Sequence, residues 1–307
     1  MKAKIFVALS SFAEFGNEPL KLFEDNGFEY SLNSLGRRLI QQEIVQLGKD
    51  CEGIIAGVEP YDDYVLERMP KLRCISRCGV GIDNIDLGKA KEKGITVKNT
   101  PDIVTLPVAE LTIGMIFDLL RKISYHTNLM KARQWRRKAG SLLSGSKIGV
   151  LGLGRIGKKV SEMLVGLNAV VYGADLSPNT SWAAKNKVEI VSKDFILREC
   201  DIITIHIASP EGEEFILSKK EIEAMKKGAL LINTSRGKFL DETALCAALE
   251  SNHLGGAALD VYSQEPYAGP LCDMDNVVLI PHLGSFTRES RNQMEIEAVK
   301  NAINFLK

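Results

Sequence analysis

Along this chain, short runs of four to six apolar residues alternate with stretches whose apolar positions recur at helical spacing. In the first third, "KIFVAL", "GIIAG", "CISRC" and "GITVKN" read as strands, with "EPLKLFEDNG" and "VLERMPKL" as helices. Runs this short, separated by helical periods, predict parallel strands joined by crossover helices. Over residues 104–133 the pattern stays helical, with Pro107 acceptable in the first turn. The alternation then restarts at Lys147 with "IGVLG", "AVVYGAD", "DIITIHI", "ALLINTS", "GAALDV" and "NVVLIPH", and the chain closes on an amphipathic helix over residues 287–306. Two α/β units follow, each a doubly wound parallel sheet, with the second inserted into the first. The predicted division is 1–100 plus 284–307 against 101–283. Asn99-Thr100-Pro101 is a natural hinge, because the residue before proline is pushed out of the helical region. A second crossing is expected over residues 281–285.

Composition narrows the class. The 307 residues are 45% hydrophobic and 25% charged, with 39 basic and 39 acidic side chains. A net charge of zero offers no bulk field for nucleic acid or a membrane surface, and the basic run "ARQWRRK" reads as a solvated face. No apolar run reaches the roughly 18 residues of a membrane span. The start "MKAKIFVALSSF" is broken by Lys4 and reads as a first strand rather than a signal peptide. Six scattered cysteines, without C-x-x-C or a Cys/His cluster, point to reduced core thiols in a cytoplasmic protein and to no metal site.

The most informative stretch is "KIGVLGLGRIGKKV", residues 147–160, in which an apolar strand runs into a helix start through Gly152, Gly154 and Gly157. Glycines at this spacing permit a tight turn, close approach of a pyrophosphate and close helix–strand packing. The helix N-terminus then supplies amides for the phosphates. The next apolar run ends at Asp175, where a carboxylate would bind the adenosine ribose hydroxyls and repel a 2′-phosphate. NAD rather than NADP is the expected cofactor.

In such a sheet the chemistry sits outside the carboxyl ends of the strands. Those ends carry His206, Arg236, Asp260 and His282, with Glu265 in the loop after Asp260. A histidine is suited to exchange a proton near neutral pH. Glu265 could fix its ring, and Arg236 offers a planar fork for a carboxylate. Gly79-Val80-Gly81 could present backbone amides to the same carboxylate. Of the other histidines, His126 reads as a surface residue, and His253 as a partner for the terminal carbonyls of its own helix.

The segments "RCGVGIDNIDL", "NTPDIVTLPVAELTIG", "GVLGLGRIGK", "INTSRGKFLDETAL", "GAALDVYSQEP" and "IPHLGSFT" together resemble the D-isomer-specific 2-hydroxyacid dehydrogenase family, within it the phosphoglycerate dehydrogenase group. The resemblance implies a Rossmann NAD-binding domain inserted into a flavodoxin-like substrate domain, with substrate in the cleft between them and a homodimer clasped through the long helices. It implies a catalytic set of Arg236, Glu265 and His282. Besides the three glycines, it implies cofactor contacts from Arg155, Ile156, Asp175, His206, Ile207, Thr234, Ser235, Arg236, Asp260, His282 and Gly284. The substrate would meet Arg77, Val80, Gly81, Arg236 and His282. Arg77 matches a basic position near the substrate and favours a second anionic group, so 3-phosphohydroxypyruvate or a similar dianionic acid is expected among the better substrates and bulky hydrophobic acids among the poor ones. Gly57, however, stands where that group often carries a further phosphate-binding arginine. The chain ends at Lys307, so the C-terminal regulatory domain of many such enzymes is not expected. The rival readings are an NAD(H)-sensing corepressor on the same fold and a phosphite- or formate-type dehydrogenase. Glu265 argues against the formate type, which carries glutamine there.

Overall fold

The computed structural model describes residues 3–207 and 216–307. They form two compact units, Met1–Val104 with Ser285–Lys307, and Thr105–Gly284. Unit 1 holds five strands, β1 (Lys4–Val7), β2 (Glu29–Leu32), β3 (Gly53–Ala56), β4 (Cys74–Arg77) and β5 (Thr96–Lys98), in the order β2-β1-β3-β4-β5. All neighbours are parallel. This is a flavodoxin-like order, in which the crossovers reverse direction between β1 and β3. The crossover helices are α1 (Glu18–Asn26), α2 (Gln41–Gly48), α3 (Asp63–Glu67) and α4 (Leu87–Glu92).

Unit 2 begins with two helices, α5 (Thr105–Arg121) and α6 (Ile123–Lys131). The single helical stretch expected over 104–133 is therefore divided. Lys122 adopts a left-handed φ of 57°. The Asp118 carboxylate accepts from the Ser124 amide at 2.7 Å, and the Ser124 hydroxyl also donates to it. Hydrophobic periodicity does not register such a side-chain cap, which restarts a helix without moving its apolar face.

The seven-stranded sheet of unit 2 contains β6 (Lys147–Leu151), β7 (Val170–Ala174), β8 (Val188–Ile190), β9 (Ile202–Ile205), β10 (Leu230–Asn233), β11 (Gly256–Leu259) and β12 (Val277–Leu279). Its order is β12-β11-β10-β9-β6-β7-β8, parallel throughout. The connecting helices are α7 (Arg155–Gly166), α8 (Thr180–Lys185), α9 (Lys193–Glu199), α10 (Lys219–Ala224) and α11 (Glu242–Glu250). The chain then returns to unit 1, where α12 (Arg288–Leu306) packs on α1, β3 and β4.

Strands β3, β9 and β11 are buried along their whole length. Sheets covered by helices on both faces require such continuous apolar runs, and the sequence pattern shows them. Asp62, Asp86, Asn179, Ser192, Asp241 and Thr287 cap helices by accepting from the amide three residues on, each worth about 1 kcal/mol. Among the described residues, no helix is long and apolar enough to cross a membrane.

Candidate active site

The glycine turn between β6 and α7 fits a dinucleotide on backbone grounds alone. Gly152 has a φ of +94°, and a Cβ there would lie 2.7 Å from the His206 oxygen. A Cβ on Gly157 would lie 1.9 Å from the Gly152 oxygen, so only glycine lets the helix pack this close. Gly154 has the opposite surroundings, with nothing among the described residues within 4 Å of the Cβ position. Gly154 is also the N-cap of α7 and makes no side-chain cap bond. The 12-residue helix that follows opens with the exposed Arg155 and the half-buried Ile156, and no side chain at Gly154 caps its first amides. Such an end suits an anion.

Asp175, just past β7, is tied to this turn. One carboxylate oxygen accepts from the Leu153 amide at 2.6 Å and the other from the Ser177 amide at 2.8 Å. Those bonds hold the carboxylate at the mouth of the turn, where a ribose would lie in a dinucleotide site of this design.

The loops after β10, β11 and β12 run side by side along the sheet edge. Asn233, fully buried, closes the first of them. Its side-chain oxygen accepts from the Ser235 amide and hydroxyl at 3.0 and 2.8 Å, and its amide donates to the Arg236 carbonyl at 3.0 Å. Thr234 ties the same strand end to α5 through a 3.1 Å contact with the Thr112 hydroxyl. Arg236 follows in extended backbone, with Nη1 donating to the Ser235 carbonyl at 2.8 Å. A Cβ on the next residue, Gly237, would stand 1.9 Å from the Tyr262 carbonyl carbon, so the first loop lies directly on the second.

The second loop positions the third. Asp260 is 1% exposed, and its two oxygens accept from the Leu283 amide at 2.5 Å and the Gly284 amide at 2.8 Å. Burial pushes its carboxyl above the usual carboxylate range, against the pull of those amides and of His282. The clamp anchors the turn in which His282 adopts a left-handed φ of 55°, an unfavourable backbone for a residue with a Cβ. The ring of His282 projects outward, and its Nδ1 lies 2.9 Å from Glu265 Oε2. The other Glu265 oxygen accepts from the Tyr262 amide at 3.2 Å. The Tyr262 hydroxyl lies 3.1 and 3.0 Å from the carbonyls of Leu259 and Ile280, at the ends of β11 and β12. Arg236, Glu265 and His282 thus stand on one continuous set of loops.

His206 differs from these. It is 7% exposed, its Nε2 lies 2.9 Å from the Thr204 hydroxyl, and its Nδ1 has no partner among the described residues. Burial pushes its pKa down to about 3, so the ring is neutral and packs beneath the glycine turn. Ile207 beside it is half-buried against the core of the sheet. His253 meets the carbonyl of Ile222 in α10 at 3.0 Å, which corrects the expected contact with its own helix end. The cause is tertiary: helix α11 lies beside α10.

Unit 1 carries its own glycine turn after β4. Gly79 has a φ of 139°. Its amide donates to Thr100 Oγ1 at 2.8 Å, its carbonyl accepts from the Thr100 amide at 3.0 Å, and Asn99 donates to the Val80 carbonyl at 2.8 Å. Asn99 and Thr100, two residues of the stretch expected as a hinge, therefore also shape this turn. No described group accepts from the Val80 or Gly81 amide. The sequence reading missed Asn233 and Tyr262. The signal for Asn233 was present, since asparagine at a strand end before Ser and Gly marks a side-chain-closed turn. Tyr262 carried none, since its partners lie on two separate strands.

Comparison with known proteins agrees with this geometry. The family model described as D-isomer specific 2-hydroxyacid dehydrogenase, NAD binding domain, matches residues 113–284. The chain is 36% identical over 293 residues to the D-3-phosphoglycerate dehydrogenase of Homo sapiens, covering 94% of this chain and 54% of that protein. It therefore spans about half the length of the curated phosphoglycerate dehydrogenases that it matches. It is 31% identical over 314 residues to the glyoxylate reductase of Korarchaeum cryptofilum, covering 99% of this chain and 93% of the relative. Among solved structures, a Thermus thermophilus protein superposes with a TM-score of 0.88 at 29% identity, covering 97% and 95% of the two chains. The D-lactate dehydrogenase of Escherichia coli superposes with a TM-score of 0.86 at 26% identity, covering 99% and 96%. The chain belongs to the D-isomer specific 2-hydroxyacid dehydrogenase family, and its second unit is the NAD-binding domain of that family.

Proposed function

We propose that this protein is an NAD-dependent D-2-hydroxyacid dehydrogenase acting on a small 2-hydroxy or 2-keto acid. The observation that carries the reading is the Glu265–His282 pair at 2.9 Å, displayed at the end of β12. Facing a carboxylate, Nδ1 carries a proton, which leaves Nε2 to exchange one with substrate. Nicotinamide, when bound, would supply or accept the hydride, two electrons with one proton, at the carbonyl carbon. In reduction, His282 gives the second proton to the carbonyl oxygen, so that keto acid, NADH and a proton yield hydroxy acid and NAD. In oxidation it takes the hydroxyl proton. Arg236 holds the substrate carboxylate by its planar fork and stabilises charge on the reacting oxygen. The Val80 and Gly81 amides are assigned to the same carboxylate.

Asp175 favours NAD over NADP by repelling a 2′-phosphate. A homodimer is proposed through the exposed apolar side chains Ile123, Met130, Trp135 and Leu142 in and after α6, since exposed apolar surface suits a protein partner better than water. A cytoplasmic location suits the six cysteines, all of them free thiols and Cys51, Cys74, Cys78 and Cys200 buried.

The test is NADH oxidation with glyoxylate, hydroxypyruvate, pyruvate and phenylpyruvate. Turnover of the small acids supports the reading. Tight NADH binding with no turnover of any acid would instead mark a nucleotide-sensing protein.

A further inference from the structure

The loop that carries Glu265 is fastened by a carboxylate to which the proposed reaction gives no role. Glu242, half-buried at the start of α11, accepts from the Ser263 amide at 2.6 Å through Oε1. Among the described residues that amide has no other acceptor, and the Glu242 carboxylate has no other partner. A glutamate in the first turn of a helix is favoured by the helix dipole whether or not it reaches another loop. Its charge and its reach are therefore separate properties, and only the reach touches the site.

The same peptide is met from a second side. A Cβ on Gly237 would overlap both the Tyr262 carbonyl and the Ser263 nitrogen. Gly237 and Glu242 belong to one segment, the turn and helix start that follow Arg236, so this segment grips the Tyr262–Ser263 peptide twice. Within the gripped loop, the Tyr262 amide donates to Glu265 Oε1 at 3.2 Å, and Glu265 Oε2 lies 2.9 Å from His282 Nδ1. The Tyr262 ring stacks on Tyr267 with centroids 4.6 Å apart. The Glu265 side chain is 37% exposed, so burial does not hold its carboxylate. An exposed carboxylate keeps one rotamer only where hydrogen bonds and the backbone beneath it select that rotamer. Glu242 supplies such a restraint from outside the loop, two residues before Glu265.

We infer that Glu242 is a positioning residue for the proton step: by holding the Ser263 amide it keeps Glu265 seated on the His282 ring and in register with the Arg236 loop. This rests on the proposed dehydrogenase reaction, in which His282 moves the proton.

Two replacements separate reach from charge. Glu242→Ala removes the acceptor, whereas Glu242→Gln keeps an oxygen at the same reach and removes the charge. With NADH and a small keto acid, Glu242→Ala should lower kcat about 10-fold while KM and NADH affinity each change less than about 3-fold, because the loss falls on the transition state. Glu242→Gln should stay within about 2-fold of the native kcat, since it can still accept from the amide. Once Glu265→Ala has removed the pair, adding Glu242→Ala should lower kcat less than about 2-fold further, whereas an unrelated structural loss would multiply. Native kcat in Glu242→Ala, an equal loss in Glu242→Gln, or independent losses in the double variant each overturns the inference. If Glu242→Ala does not fold, Glu242→Asp, which keeps the charge and shortens the reach, takes its place with the same expected loss.

A further readout needs no turnover. Amide hydrogen exchange followed residue by residue should speed up about 10-fold or more in Glu242→Ala at Ser263, which loses its acceptor, and also at Tyr262, whose amide is bound to Glu265. Unchanged exchange at Tyr262 overturns the inference. Failure of the reaction itself would show as no NADH oxidation by the native protein with any acid, and the exchange measurement would then still decide whether Glu242 seats Glu265.

Discussion

Two histidines end two strands of the same sheet, and their surroundings make them different chemical groups. His206, after β9, is buried, pairs with the Thr204 hydroxyl, and is held neutral by a pKa lowered to about 3. His282, after β12, has a side chain 48% exposed and a carboxylate partner. Both positions satisfy the rule that chemistry gathers at strand carboxyl ends. The difference teaches that the rule yields several candidates, whereas solvent access and a charged partner single out the one proposed for proton transfer. The loops explain why. The Asp260 clamp holds the residues after His282 so that its ring points outward, while His206 lies against Gly152 through its backbone and against Gly157 through its Cβ.

The contrast is broken most directly at His282. Replacing it by asparagine should lower kcat by about 10²-fold or more, with a much smaller change in NADH affinity by fluorescence titration. Near-native turnover in that variant would remove the ring from the proton step.

A third strand end extends the comparison to Asp175, a carboxylate proposed to select the cofactor rather than to move a proton. Asp175→Ala should narrow the preference for NAD over NADP by about 10-fold, read as the ratio of kcat/KM values. Equal values for both cofactors in the unmodified protein would dismiss this role.

The smallest effect belongs to His206 and is one of stability. Its folded pKa, about 3, lies below the usual histidine value of about 6.5. The folded state therefore binds fewer protons than the unfolded one, and the stability this group contributes is present above about pH 6.5 and lost as pH falls toward 3. His206→Asn should lose less stability than the native protein between pH 7 and pH 4.5 in urea unfolding. It should also lower kcat far less than the His282 replacement. A parallel pH dependence in the two proteins would mean that His206 is not held neutral.

Much of this was legible in the chain. Strand runs, crossover helices and the three glycines are local patterns, and the spacing of Gly152, Gly154 and Gly157 already contained their three backbone roles. Arg236, Asp260 and His282 could be named because each follows an apolar run that must be a strand. Glu265 followed from the family resemblance, and the structure puts it in hydrogen-bond contact with His282. The break at Lys122 escaped because the side chain that caps α6 leaves the apolar period intact. Asp260 was legible as a strand-end carboxylate but not as a clamp, since the amides it holds belong to a loop more than twenty residues later.

What the sequence by itself determined is therefore most of the elements, though not β2, β8 or the break at Lys122, together with their parallel pairing and the list of groups at the strand ends, because hydrophobic period and glycine spacing act over a few residues. What only the tertiary structure decided is the state of each group. His206 is neutral because of the strands and helix packed around it, and His282 is displayed because Asp260 reaches across two loops. Burial and charge pairing depend on which distant atoms fill the surrounding space, and only the folded chain brings those atoms together.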